Sequence, residues 1–144
     1  MLREDDVVLA VSAYLEASGW TIESVCLGQE RGDDVVAARC GARLLVEAKG
    51  AGSGTLGTKR YGQTFTGGQV HDHVAKAVLR ALRWVSTGGA HAAVAFPDNA
   101  QHRGELAKVQ PAIDRVGITV MWVDNDQRVR LDGAALPQSS EVEQ

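Results

Sequence analysis

Gly32-Asp33-Asp34-Val35-Val36-Ala37, followed after a short turn by Leu44-Leu45-Val46-Glu47-Ala48-Lys49, decides how this chain is read. Both are apolar runs of strand length, yet each carries charge at one end. The two-residue period of a strand puts Glu47 and Lys49 on the same face, so their side chains share one small space. Cys40-Gly41 supplies a two-residue turn between a strand over 34–39 and one over 42–49. If Arg39 faces Ala42 across that turn, the same register sets Asp34 directly opposite Glu47.

Opposed side chains on paired strands have Cβ atoms about 4.5–5.5 Å apart, and like charges at that separation destabilise unless something compensates them. A divalent cation is one compensation. Carboxylate oxygens are hard ligands that suit Mg²⁺ or Mn²⁺, and a neighbouring lysine can hold a water or an anionic phosphate. The plainer account is that Lys49 pairs with both acids at a sheet edge. Against it, interior strands seldom carry three charges on one face without a use.

Working outward, Val7, Val8, Val11, Tyr14 and Leu15 recur at helical spacing and Gly19 ends the run, which predicts a first helix. Trp20 to Leu27 reads as a strand, with turn chemistry at Gly28 and Gly32 before the charged pair. Residues 50–68 hold seven of the sixteen glycines and the triplet Lys59-Arg60-Tyr61, a composition that suggests a loop with a task or a plain connector. A second helix over about 69–85 is apolar at Val70, Val74, Ala77, Val78, Ala81, Leu82 and Val85. At roughly 100° per residue, Gln69, His73, Lys76, Arg80 and Arg83 gather on its opposite side. Ala92 to Phe96 and Ile118 to Val123 read as buried strands, separated by a helical stretch from Gln101 to Gly117 that Pro111 kinks or breaks. A short strand, Arg128 to Leu131, closes a domain over 1–132, and 133–144 read as a disordered polar tail. The expected architecture is a three-layer α/β domain of order αβββαβαβ, its mixed sheet covered on both sides.

The pattern Gly32-Asp33-Asp34-Val35-Val36-Ala37 with Leu45-Val46-Glu47-Ala48-Lys49-Gly50 resembles the metal site of the PD-(D/E)XK nucleases. This restriction-endonuclease-like superfamily includes Mrr-type enzymes and archaeal Holliday-junction resolvases. The element order over about residues 3–96 is similar to that superfamily's core, although no proline precedes Asp34. The resemblance implies Asp34 and Glu47 as ligands of Mg²⁺ or Mn²⁺, the Ala48 carbonyl as a further ligand, and Lys49 as the residue that positions the attacking water. It also implies an acid from the first helix. Glu4 fits, one helical step of four before Val8, whereas Asp5 and Asp6 are better explained as acids complementing the helix dipole. Gln69 with His73 resembles the Gln-x-x-x-Tyr motif of RecB-like members, with histidine in place of tyrosine, which adds Gln69 to the catalytic set.

Fifteen basic against eighteen acidic residues exclude a protein that coats nucleic acid by bulk charge, so DNA contact falls to a local patch. Lys59, Arg60, Tyr61, His73, Lys76, Arg80 and Arg83 form the candidate patch, whose bland alternative is a solvated helix face. Cys26 and Cys40 fit no zinc spacing, and no apolar segment is long enough to cross a bilayer, which points to a cytoplasmic protein with reduced thiols. Gly52-Ser53-Gly54-Thr55-Leu56-Gly57 matches GxGxxG but precedes no helical pattern, and His71 and His73 diverge on a helix. His91 and His102 read as ordinary structural or surface residues. The leading expectation is a metal-dependent deoxyribonuclease; a non-cleaving nucleic-acid-binding module and a protein-interaction domain are the alternatives. A chain of this size leaves little surface for sequence-specific recognition, which makes a homodimer or a partner protein plausible.

Overall fold

The structure is a computed structural model that describes residues 1–28, 30–52 and 65–138. Its elements run α1 (Glu4–Ala17), β1 (Thr21–Val25), β2 (Val35–Arg39), β3 (Ala42–Ala48), α2 (Gly67–Thr87), β4 (His91–Pro97), α3 (Ala100–Ala107), α4 (Gln110–Val116), β5 (Thr119–Val123) and β6 (Val129–Gly133). The six strands form one sheet in sequential order. β1, β2 and β3 are mutually antiparallel, β3, β4 and β5 are parallel, and β6 returns antiparallel to β5. The mixed sheet is as expected. The short strand expected over 128–131 is β6, Val129–Gly133, which pairs with β5, and the helical run to Gly117 divides into α3 and α4.

Local chemistry explains these elements. The turn between β2 and β3 is built by Cys40 at φ +48° and Gly41 at φ +85°, and Arg39 pairs with Ala42 as the two-residue loop requires. After α1 the Trp20 N–H returns to the Leu15 carbonyl at 2.9 Å, with Gly19 in the left-handed conformation. Pro111 does not break a helix. It occupies the first turn of α4, where a missing N–H costs nothing, and the chain breaks instead at Lys108–Val109.

Alternation along the strands divides the core. On one face Val35, Ala37, Leu44, Val46, Ala48, Ala93, Ala95, Met121 and Val123 pack against Val7, Val8, Val11 and Leu15 of α1. On the other, Val94, Phe96, Val120 and Trp122 pack against Val70, Val74, Ala77 and Ala81 of α2, with Leu106 of α3 and Ile113 of α4. Each fully buried aliphatic side chain contributes about 1.5–3 kcal/mol, so α1 alone is held by several such terms. The stretch 133–138, which the sequence places in the tail, is packed: Leu136 is buried and the Arg39 guanidinium donates to the Pro137 carbonyl. Residues 139–144 lie outside the described residues. Among those described, no helix is long and apolar enough to cross a membrane.

Candidate active site at the end of β3

Parity places the site. Leu44, Val46 and Ala48 belong to the α1 face, so Glu47 and Lys49 project to the α2 face at the C-terminal end of β3. The β2–β3 register ends with Val35 opposite Val46, and Asp34 and Glu47, the next residue on each side, bring their side chains into contact. Asp34 and Glu47 are both buried, at 9% and 7% exposure. Asp34 Oδ2 accepts the Ala48 N–H at 2.8 Å. A strand residue turns its N–H and C=O toward the same neighbour, so the Ala48 carbonyl also faces the Asp34 side, where the β2 ladder has ended.

The electrostatics show two acids forced together. Burial, then a shared side-chain hydrogen bond and repulsion with Asp34, push the Glu47 carboxyl up to about 8, against the smaller opposing pull of Lys49 and Arg80. A cation placed between the two carboxylates would offset that repulsion. Glu4 belongs to the same field. Burial first, then the Asp34 charge, raise its carboxyl to about 7, while Lys49 lowers it. Its position is set by Gly50, where an added Cβ would lie 2.3 Å from the Glu4 nitrogen. The N-terminus of α1 is docked there by the Ala51 N–H, which donates to the Leu2 carbonyl at 2.7 Å.

Asp5 and Asp6 have other employment. Asp5 Oδ1 accepts the Gly28 N–H at 2.9 Å, and Asp6 Oδ2 accepts the Arg3 N–H at 2.8 Å. Lys49 is half-buried, and its charge acts on Glu4, Glu47 and His73. Among the described residues Arg80 makes the close contact to Glu47, with Nε 3.4 Å from Oε2, while the Lys49 charge exerts the larger pull on that carboxyl. Arg80 is tied to Asp33 and Glu47 while its side chain stays partly exposed on the stripe where the helical wheel puts it. Lys76 and Arg83 remain exposed.

Gln69 and His73 are placed differently from their motif expectation. Gln69 Oε1 accepts the Thr66 N–H at 2.8 Å and completes a capping box at the start of α2, which gives that carbonyl a structural task. His73 is half-buried, packs edge-on against Phe65 with centroids 4.4 Å apart, and has its Nδ1 buried without a partner. Burial and then Lys49 and Lys76 lower its pKa below the ordinary imidazole value. His102, read as structural or surface, is fully buried, with burial pulling its pKa to about 4. Lys59, Arg60 and Tyr61 lie outside the described residues.

The donor set suits a hard divalent cation: two carboxylates and a carbonyl directed to one space, with Glu4 close by. Among the described residues no three His, Cys, Asp or Glu side chains converge closely enough to form a complete ligand cluster. No family model and no curated protein matches the chain. Among solved structures it is similar to that of Pyrococcus furiosus SfsA in complex with Ca²⁺, at 14% identity and a TM-score of 0.41. The match covers 87% of this chain and 58% of that one, so the chain spans under two thirds of that protein's length.

Proposed function

We infer that the chain is a metal-dependent nuclease of the restriction-endonuclease-like, three-layer type, hydrolysing DNA phosphodiester bonds at the end of β3. The observation that carries this reading is the buried Asp34–Glu47 pair, with Asp34 held by the Ala48 N–H and the Lys49 charge acting on Glu47. A purely structural site has little reason to hold two facing acids with Glu4 raised beside them, because each repels the others at the expense of stability.

In this reading Asp34, Glu47 and the Ala48 carbonyl hold Mg²⁺ or Mn²⁺, with Glu4 as an additional acid. A divalent cation bound there supplies stabilisation of the charge that develops on the phosphate. The chain's own residues do the rest. Asp34 is fixed by the Ala48 N–H, so it keeps its position relative to Glu47 and Lys49. Lys49 holds and orients the attacking water, and exposed Lys76 and Arg83 on α2 bind the phosphate backbone on either side of the cut. Lys59, Arg60 and Tyr61 extend that contact from the glycine-rich segment.

A supercoiled-plasmid assay with the full chain tests the reading. Nicking or linearisation is expected with Mn²⁺ or Mg²⁺, abolished by chelation and reduced about a hundredfold or more in Glu47→Gln. A folded chain that binds DNA without cutting it under any divalent cation would replace this reading with a non-cleaving module.

A further inference from the structure

Arg80 is left over by the nuclease reading. Its stripe neighbours Lys76 and Arg83 are exposed, but Arg80 turns back over the sheet, its guanidinium 5.6 Å from the Trp84 ring centroid. Nη2 donates to Asp33 Oδ1 at 2.7 Å and reaches the Gly32 carbonyl at 3.5 Å, while Nε stands 3.4 Å from Glu47 Oε2. The two acidic contacts are unequal. The first is a full charge-assisted hydrogen bond, whereas the second exceeds the usual N–H···O range and acts through charge alone. Arg80 therefore has a firm anchor at Asp33, which has no other role in the site, and a loose hold on Glu47, which does.

A guanidinium and a compact divalent cation cannot share one carboxylate without strong mutual repulsion at this separation. We propose that Arg80 is the resident counter-cation of Glu47, displaced when a divalent cation enters, with Asp33 as the pivot that keeps the released guanidinium beside the site. This inference rests on the nuclease reading. Beside the Lys49 charge it places a second cation against the facing acids in the cation-free fold, and it makes Arg80 a competitor that sets how much divalent cation the site needs. It also assigns a purpose to Asp33, the first aspartate of Asp33-Asp34, which the nuclease reading leaves idle.

The test is a calorimetric titration of Mn²⁺ into the full chain, into Arg80→Met and into Arg80→Lys, with thermal melts confirming that each is folded. Arg80→Met should bind Mn²⁺ about tenfold more tightly or better, since a competing charge some 3–4 Å from the ligand oxygen is gone. Arg80→Lys keeps the charge but lacks the planar fork that reaches both acids, and should fall between Met and wild type. If Arg80→Met does not fold, Arg80→Lys decides alone, and it must bind more tightly than wild type. Variants that bind Mn²⁺ no more tightly than wild type overturn the proposal and leave the nuclease reading standing. If neither wild type nor variants bind at millimolar Mn²⁺, the nuclease reading falls with it.

Discussion

The carboxylate of Asp34 stands in for a strand carbonyl at Ala48, its Oδ2 taking the backbone N–H at 2.8 Å just before the first β2 residue. One side chain thus finishes the hairpin ladder and supplies half of the acid pair. Folding and chemistry are coupled at this single contact.

Two substitutions separate those roles. Asp34→Asn keeps an acceptor for Ala48 and removes a charge facing Glu47, so its stability should equal or exceed that of wild type. Asp34→Ala leaves a buried N–H unpaired and should be less stable than Asp34→Asn by about 1–3 kcal/mol. Urea unfolding measures the difference; equal stabilities would deny the contact its structural share. Both variants should fail to cleave DNA.

The acid pair also fixes the sign of the pH dependence. Burial and the facing Asp34 push the Glu47 carboxyl up to about 8, against 4.5 for an ordinary glutamate, so between those values the folded state holds a proton that the unfolded state has released. Its contribution to stability is complete below the unfolded value and is lost as pH rises through the folded one. Glu4, raised to about 7, acts in the same direction. Without divalent cation, the melting temperature of wild type should fall relative to Glu47→Gln from about pH 5 to about pH 8, and added Mn²⁺ should stabilise most at the alkaline end. A wild-type curve that rises relative to the variant across this range would contradict the assignment.

Lys49→Ala distinguishes a structural from a catalytic lysine. Arg80 remains 3.4 Å from Glu47, so Lys49→Ala should still fold, although the lost charge leaves the Glu47 and Glu4 carboxyls raised further. Cleavage should nonetheless drop by about a hundredfold or more, because the attacking water loses its holder. Melts beside plasmid nicking read both. An unfolded variant, or a folded one with undiminished cleavage, would end the catalytic assignment.

Gly50→Ala probes the seat of Glu4. The new Cβ would fall 2.3 Å from the Glu4 nitrogen and 2.6 Å from the Arg3 carbonyl carbon, both backbone atoms that can yield only by moving the start of α1. A loss of about 1–3 kcal/mol is expected, as for other overpacked sites, together with weaker Mn²⁺ binding. Unchanged Mn²⁺ affinity would remove Glu4 from the site.

The hairpin was readable because its signals are local and agree: a two-residue turn at Cys40-Gly41 fixes the register, and the strand period then fixes which side chains share a face. The α1 stripe was readable for the same reason, and Val8, Val11 and Leu15 are fully buried. Arg80 was read only as part of the basic stripe because a helical wheel sorts residues by angle alone. It cannot show that a long side chain will bend back toward Asp33, forty-seven positions earlier. Gln69 carried a clue that was available: Thr66 three residues before it spells a capping box, the local use that the structure shows. Pro111 could mark either a break or a first turn, and the choice depended on where α3 ended, which its weakly patterned sequence leaves open.

Diffraction from a crystal of the full chain soaked in Mn²⁺, recorded at the manganese absorption edge, tests the central claim most directly. The account predicts an anomalous peak within coordination distance of Asp34 and Glu47 carboxylate oxygens and the Ala48 carbonyl, with Arg80 drawn off Glu47. A fully soaked crystal with no peak there, or with Arg80 still seated on Glu47 and manganese bound elsewhere, would contradict it.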